Sequence, residues 1–133
     1  MKGDMERMDL QRYDIIEAEL KYSSGSVQSE RRPYIIVGNA AGTNHSDVVI
    51  IMPLTHIIKK TGLPTHECID AETSTGLKTY SMILGEQPQT IAKCEVIEKL
   101  GSVSNQVHKN LVNRVCWNTF FYGEKINWKE VLA

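Results

Sequence analysis

Two runs decide how this chain folds: Pro33-Tyr34-Ile35-Ile36-Val37, and Val48-Val49-Ile50-Ile51-Met52 leading through Pro53-Leu54 to Thr55. Tyr34 to Val37 is aromatic and β-branched, the composition of a strand, and a proline is tolerated as a strand's first residue. Val48 to Met52 is apolar at every position, so it has no polar face to turn to water and reads as a central strand buried on both sides. Pro53 marks its expected end. Gly38 to Ser46, between the two runs, is rich in Gly, Asn, Thr and Ser and reads as a turn region.

Outward from this pair, Asp14 to Leu20 sets Ile16, Ala18 and Leu20 against Glu17 and Glu19, the period of a half-buried strand. Lys21 to Arg32 carries Ser, Gly, Gln and Glu without an apolar period and is too long for a tight hairpin, so a mobile surface loop is expected. Leu54 to Leu63 holds a possible helical turn, stopped by Gly62 and Pro64. Glu67 to Ile69 and Tyr80 to Leu84 are further short strands, separated by the polar Asp70 to Lys78 turn. Thr90 to Val96 suits another strand, while Glu95 to Leu100 fits a short helical turn equally well. The one clear helix comes late: Ser102 or Ser104 can cap it, and Val107, Leu111 and Val115, with Val103 a turn earlier, form its expected core face. Gly123 is a plausible stop, and one more turn is expected around Trp128 and Leu132. Short strands, polar loops and one good helix describe a mainly β, α+β domain, a small and partly open barrel.

The chain has 133 residues, one domain's worth. The expected organisation is a polar extension over residues 1–12, the folded domain over 13–121 and a tail over 122–133. Charged residues are 23% and hydrophobic ones 41%, an ordinary globular balance that excludes disorder. No apolar run approaches the ~20 residues of a membrane span, and the charged N-terminal dozen is no secretory signal. Cys68, Cys94 and Cys116 are odd in number and widely spaced, which argues against a disulfide framework and for a reducing cytoplasm. The net charge of −1 removes global basicity as an argument for nucleic-acid binding.

The residues offer little ready-made chemistry. His45, His56, His66 and His108 show no metal-ligand spacing, so no metal is expected. Gly38 to Gly42 lacks the Lys-Ser/Thr ending of a phosphate loop, and no nucleophile elbow or cofactor motif is present. What remains is Arg32, at the mouth of one core strand, and Thr55, at the end of the other. A guanidinium is permanently charged and can grip two phosphate oxygens, and a hydroxyl can donate to a third. Facing one groove, the two suit a reaction in which negative charge builds on phosphorus. A surface arginine and a turn threonine account for the same residues, and composition does not choose between these readings.

The order of the pieces resembles the MazF/PemK toxin family. Six segments carry the likeness: Asp14 to Leu20 with the Ser/Gly loop, Arg32-Pro33 leading to Asn39, Gly42 to Ser46, Ile50 to Thr55, Leu63-Pro64-Thr65-His66, and Ser81 to Gln87 followed by Thr90-Ile91. The resemblance implies an SH3-like, CcdB-like β-barrel with a C-terminal helix, a homodimer, and metal-independent cleavage of single-stranded RNA at short sequences. It also implies silencing by a cognate antitoxin. Arg32 and Thr55 match the family's catalytic arginine and threonine. Glu86 and Gln87 match a loop that faces RNA in relatives, Ser26 and Gln28 lie in the loop that covers the groove, and His66 is a further RNA-binding candidate with a histidine's suitable intrinsic pKa. A strand-edge histidine bonded to the backbone accounts for His66 as well.

The sequence departs from the pattern where Pro88-Gln89 replaces a basic residue and where Glu30 and Arg31 stand in place of glycines. Any basic groove must be local, built from Arg31, Arg32, Lys59 and Lys60. A toxin of the same barrel that grasps DNA gyrase without catalysis is the alternative, and it has no need of the Arg-Pro and Thr pair.

Overall fold

The structure, a computed structural model, describes residues 9–20 and 31–132. The expected mobile loop over Lys21 to Arg32, with Ser26 and Gln28, lies outside these residues except for Arg31 and Arg32. Seven antiparallel strands are ordered β4-β5-β3-β2-β1-β7, with β6 also paired to β3. They are β1 (Asp14–Glu19), β2 (Arg31–Ile36), β3 (Val48–Thr55), β4 (His66–Ile69), β5 (Ser81–Leu84), β6 (Gln89–Ala92) and β7 (Val96–Ser102). Three helices accompany them among the described residues: α1 (Ala40–His45), α2 (Gln106–Phe121) and α3 (Trp128–Leu132).

β3 organises the sheet because three strands pair with it. β2 runs along one edge, opposite residues 51–53, while the other edge takes β6 at Val48 to Ile51 and β5 at Leu54 and Thr55. Both faces of the sheet are covered, which explains why its strands read as continuous apolar runs. Ile15, Ile35, Met52, Leu54 and Ile83 pack with Val112 and Val115 of α2. Ile16, Ala18, Tyr34, Ile36, Val49, Ile51 and Val96 fill the other side, inside the curl of the sheet. Val48 and Ile50, 39% and 45% exposed, correct the expectation that β3 is buried on both faces throughout.

Pro53 does not end β3. Val37 N–H donates to the Ile50 carbonyl across to β2 at 2.9 Å. Backbone polar groups alternate along a strand, so Pro53 turns its nitrogen to the opposite edge. There the β6 ladder has stopped at Ile51 and the β5 ladder begins at Leu54, so the missing N–H breaks no pair. Pro33 likewise lies inside β2, as its third residue, rather than opening it. By the same alternation its nitrogen faces β3, and there the β2–β3 ladder ends at Tyr34 opposite Pro53.

Several local expectations are corrected. The turn region after β2 contains α1, whose N-terminus is capped by Asn39 Oδ1 accepting from Gly42 N–H at 2.8 Å. Residues 56–65 form turns without a helix, and Glu95 to Leu100 resolves into a short 3-10 turn followed by β7. Leu10 is 2% exposed and joins the inner core, so the end of the expected polar extension is anchored to the barrel. The cap of α2 is Asn105, whose Oδ1 accepts from Val107 and His108 N–H, not Ser102 or Ser104. Its buried stripe is His108, Val112 and Val115, while Val107 is 64% exposed. The helix stops as expected at Gly123, whose φ of 79° suits a residue just past a helix end.

This face assignment predicts unequal costs of truncation. Val112→Ala should lower the urea unfolding free energy by about 1–3 kcal/mol through lost burial and a residual cavity, and Val107→Ala by less than about 0.5 kcal/mol. Equal losses would contradict the observed helix face.

Candidate active site

The site is set by register. β2 and β3 pair Tyr34 with Pro53, Ile35 with Met52 and Ile36 with Ile51. Carried past the end of the ladder, the same register sets Arg32 opposite Thr55. Opposed residues on antiparallel strands project to the same face. Thr55 is in turn paired with Met82 of β5, Met82 with Cys68 of β4, and Arg32 with Ala18 of β1. One row across the sheet therefore runs Cys68, Met82, Thr55, Arg32, Ala18. Both central residues line a cavity of about 1010 Å³.

The register also separates two adjacent arginines. Arg31, one position earlier on β2, is tied to a carboxylate, its Nε donating to Glu17 Oε1 at 2.6 Å. That bond holds the Glu17 carboxyl below its ordinary range and raises the Arg31 guanidinium. Arg32, half-buried, lies close enough to Tyr34 for its charge to oppose the upward push that burial gives the Tyr34 phenol. The Thr55 hydroxyl accepts from Ile57 N–H at 3.1 Å, a bond that fixes its oxygen and leaves its proton to donate.

The cavity is locally basic in a chain whose net charge is −1. Arg31, Arg32, Lys59 and Lys60 all line it, as does Lys78, against the carboxylates of Glu17 and Glu98. Lys78 and His56 were not singled out from sequence; each is a lone polar residue in a loop, and only the fold brings it to this wall. Gln87 lines the cavity, whereas Glu86 does not. The Glu86 carboxylate instead takes Thr65 Oγ1–H at 3.2 Å and sits 2.9 and 3.0 Å from His66 Nε2. His66 is 6% exposed, and its Nδ1 lies 3.1 Å from the Lys60 carbonyl. Ser26 and Gln28 fall outside the described residues.

Among the described residues one group, Asp70, Glu72 and His108, has the composition of a metal site. Asp70 faces Nε2 of the ring at 3.3 Å and Glu72 faces Nδ1 at 3.7 Å, the arrangement of a histidine between two carboxylates. None of the three lines the cavity.

A curled antiparallel sheet backed by one helix, with an arginine and a threonine lining one basic cavity, defines a small barrel with a cationic groove among the described residues. Residues 11–118 match the family described as PemK-like, MazF-like toxins of type II toxin–antitoxin systems, and the chain belongs to that family. Endoribonuclease MazF of Staphylococcus saprophyticus is 34% identical over 106 residues, covering 80% of this chain and 88% of the relative. Endoribonuclease EndoA of Bacillus subtilis is 34% identical over 100 residues, covering 75% and 85%. Among solved structures, a mycobacterial endoribonuclease in complex with its cognate antitoxin superposes with a TM-score of 0.69 at 21% identity, over 90% of this chain and all of that one. MazF from Deinococcus radiodurans gives 0.61 at 16% identity, over 80% and 92%. The resemblance read in the sequence is thus borne out in family and in fold, and the endoribonuclease reading is favoured over the gyrase-binding one.

The Glu17–Arg31 pair has a pH signature. A carboxyl held low contributes stability above its unfolded pKa, and that contribution disappears as the pH falls through the lowered native value. The NMR titration midpoint of the Glu17 carboxyl carbon should lie below 4.5 and return toward it in Arg31→Ala. An unchanged midpoint would contradict the pairing.

Proposed function

We propose that this chain is a sequence-specific endoribonuclease toxin that cleaves single-stranded RNA by attack of a ribose 2′-hydroxyl on the adjacent phosphate. The observation that carries the reading is that Arg32 of β2 and Thr55 of β3, at the ends of two paired strands, both line the basic cavity. As the 2′-oxygen bonds to phosphorus, charge builds on the non-bridging oxygens. Arg32 keeps its proton throughout and neutralises that charge, while Thr55 O–H donates to one oxygen, its own oxygen being fixed by Ile57 N–H. The 2′-hydroxyl gives its proton to solvent water as it attacks, and the 5′-oxygen departs taking a proton from water, which leaves a 2′,3′-cyclic phosphate on one fragment and a 5′-hydroxyl on the other. Neither residue needs a metal for this work, and the reaction is proposed to run without a cofactor.

His66 is poorly suited to accept the 2′-hydroxyl proton, because both ring nitrogens are engaged inside the fold. Lys59, Lys60 and Lys78 supply the electrostatic track for the RNA backbone, so affinity falls as salt rises. Gln87, on the cavity wall, offers an amide edge to an unstacked base. Ser26 and Gln28 are assigned to substrate contact from the family pattern alone. The chain is proposed to act in the cytoplasm as a homodimer, its exposed Val48 and Ile50 being apolar surface that a second copy can cover. Silencing by a cognate antitoxin that fills the cavity is proposed from the family and from the mycobacterial relative's complex. No helix among the described residues is long and apolar enough to cross a membrane.

Cleavage of a fluorogenic single-stranded RNA in excess EDTA tests this reading. Arg32→Ala should lower kcat by about 10²–10³-fold, the usual loss on removing one stabiliser of developing charge, and Thr55→Ala by a smaller factor. Both variants should unfold like wild type. Fragments ending in a 5′-phosphate, or an Arg32→Ala variant as active as wild type, would refute the mechanism.

A further inference from the structure

Glu86 stands where a reader of RNA bases is expected, yet its carboxylate, still partly exposed, is taken up by His66, a residue of the cavity wall. Both of its oxygens lie within 3.0 Å of His66 Nε2, and Thr65 Oγ1 donates to one of them. On the far side of the ring, His66 Nδ1 faces the Lys60 carbonyl at 3.1 Å. A carbonyl only accepts, so Nδ1 carries a proton and donates it. The ring's other nitrogen, Nε2, meets the Glu86 carboxylate at 2.9 and 3.0 Å. The result is a continuous chain of bonds from Glu86 through a buried ring to the backbone of Lys60.

Both ends of that chain meet the cavity wall. Lys60 has φ of 51°, a left-handed backbone uncommon for a lysine, and its carbonyl accepts from Leu63 N–H as well as from His66. Lys59 and Lys60 line the cavity beside it. At the other end, Gln87 follows Glu86 directly and lines the same cavity. The residue before Glu86 is immovable: a Cβ on Gly85 would lie 2.4 Å from Val115 Cγ1 and 2.6 Å from the Thr65 carbonyl. Gly85 N–H donates to that carbonyl at 3.0 Å, and Thr119 Oγ1 lies 2.8 Å from the Gly85 carbonyl.

From this arrangement we infer that Glu86 is a positioning residue, acting through His66 to hold two parts of the RNA wall, Gln87 and the Lys59–Lys60 corner, in fixed relation, and that it does not itself read a base. The inference rests on the endoribonuclease reading of the cavity. Loss of either partner frees both parts of the wall together and weakens RNA binding, while the Arg32–Thr55 pair, on other strands, keeps its geometry.

Steady-state cleavage and binding of a non-cleavable RNA carrying a 2′-deoxy nucleotide at the cut site test this. Glu86→Ala and His66→Ala should each raise KM and the analogue's Kd about tenfold with kcat changed less than about threefold, and the double variant should be no worse than either single one. Glu86→Gln keeps a hydrogen bond to the ring, because its amide can donate to Nε2, and should stay within about threefold of wild type. Losses that add, or a Glu86→Gln variant that is as impaired as Glu86→Ala or prefers a different base, would overturn the proposal and leave the nuclease assignment standing. Wild-type protein that cleaves no RNA would overturn both. Nitrogen-15 NMR of wild-type His66 gives a test independent of whether the variants fold: Nδ1 should report as the proton-bearing nitrogen, and an unprotonated Nδ1 would refute the chain of bonds.

Discussion

Everything in the cavity depends on where the hydrogen-bond ladder between β2 and β3 stops. Pro33 has no N–H to give to β3, and Pro53 gives none to the opposite edge at the point where β3 changes partner. Ladder bonds continued past Tyr34 and Pro53 would close the strands together over Arg32 and Thr55. Ending there, the ladder leaves the two side chains opposed in register yet next to solvent. An arginine and a hydroxyl at that spot face a cavity rather than a packed core. The apolar residues on both sides of the sheet hold these strand ends in place.

The remainder of the molecule serves that edge in layers. α2 covers one face through Val112 and Val115 and closes on Gly85 where no side chain fits. The Arg31–Glu17 pair ties the first of two neighbouring guanidinium groups to β1. The cavity is basic through Arg31, Arg32, Lys59, Lys60 and Lys78, although the chain as a whole carries a charge of −1. Local arrangement, not net composition, supplies the field.

Much of this was legible in the sequence, because strand cores advertise themselves by apolar pattern, and the Arg32 and Thr55 positions followed from the ends of the two strongest runs. Misreadings have physical causes. Pro53 was read as a strand end because a proline costs a ladder bond, but the bond it would have made falls in the gap between β6 and β5. The buried face of α2 was placed on Val107 and Leu111 because its true stripe includes His108, a residue that looks polar until Asp70 and Glu72 are seen beside it. α1 has no apolar period to betray it and stands on its Asn39 cap. Nor could spacing reveal that Glu86 bonds to His66, since the two are brought together only by the β4–β5 pairing, in which His66 faces Leu84. Which of two adjacent arginines faces the cavity's threonine was likewise settled by register.

The central claim, that Arg32 and Thr55 act on one phosphodiester from opposed positions, is tested most directly by a double-mutant cycle on the single-turnover cleavage rate. Groups that stabilise the same transition state together lose less when both are removed than the sum of their separate losses. The account predicts strong non-additivity, with the Arg32→Ala, Thr55→Ala double variant close to the slower single variant. Fully additive losses would place the two side chains in separate roles and contradict it.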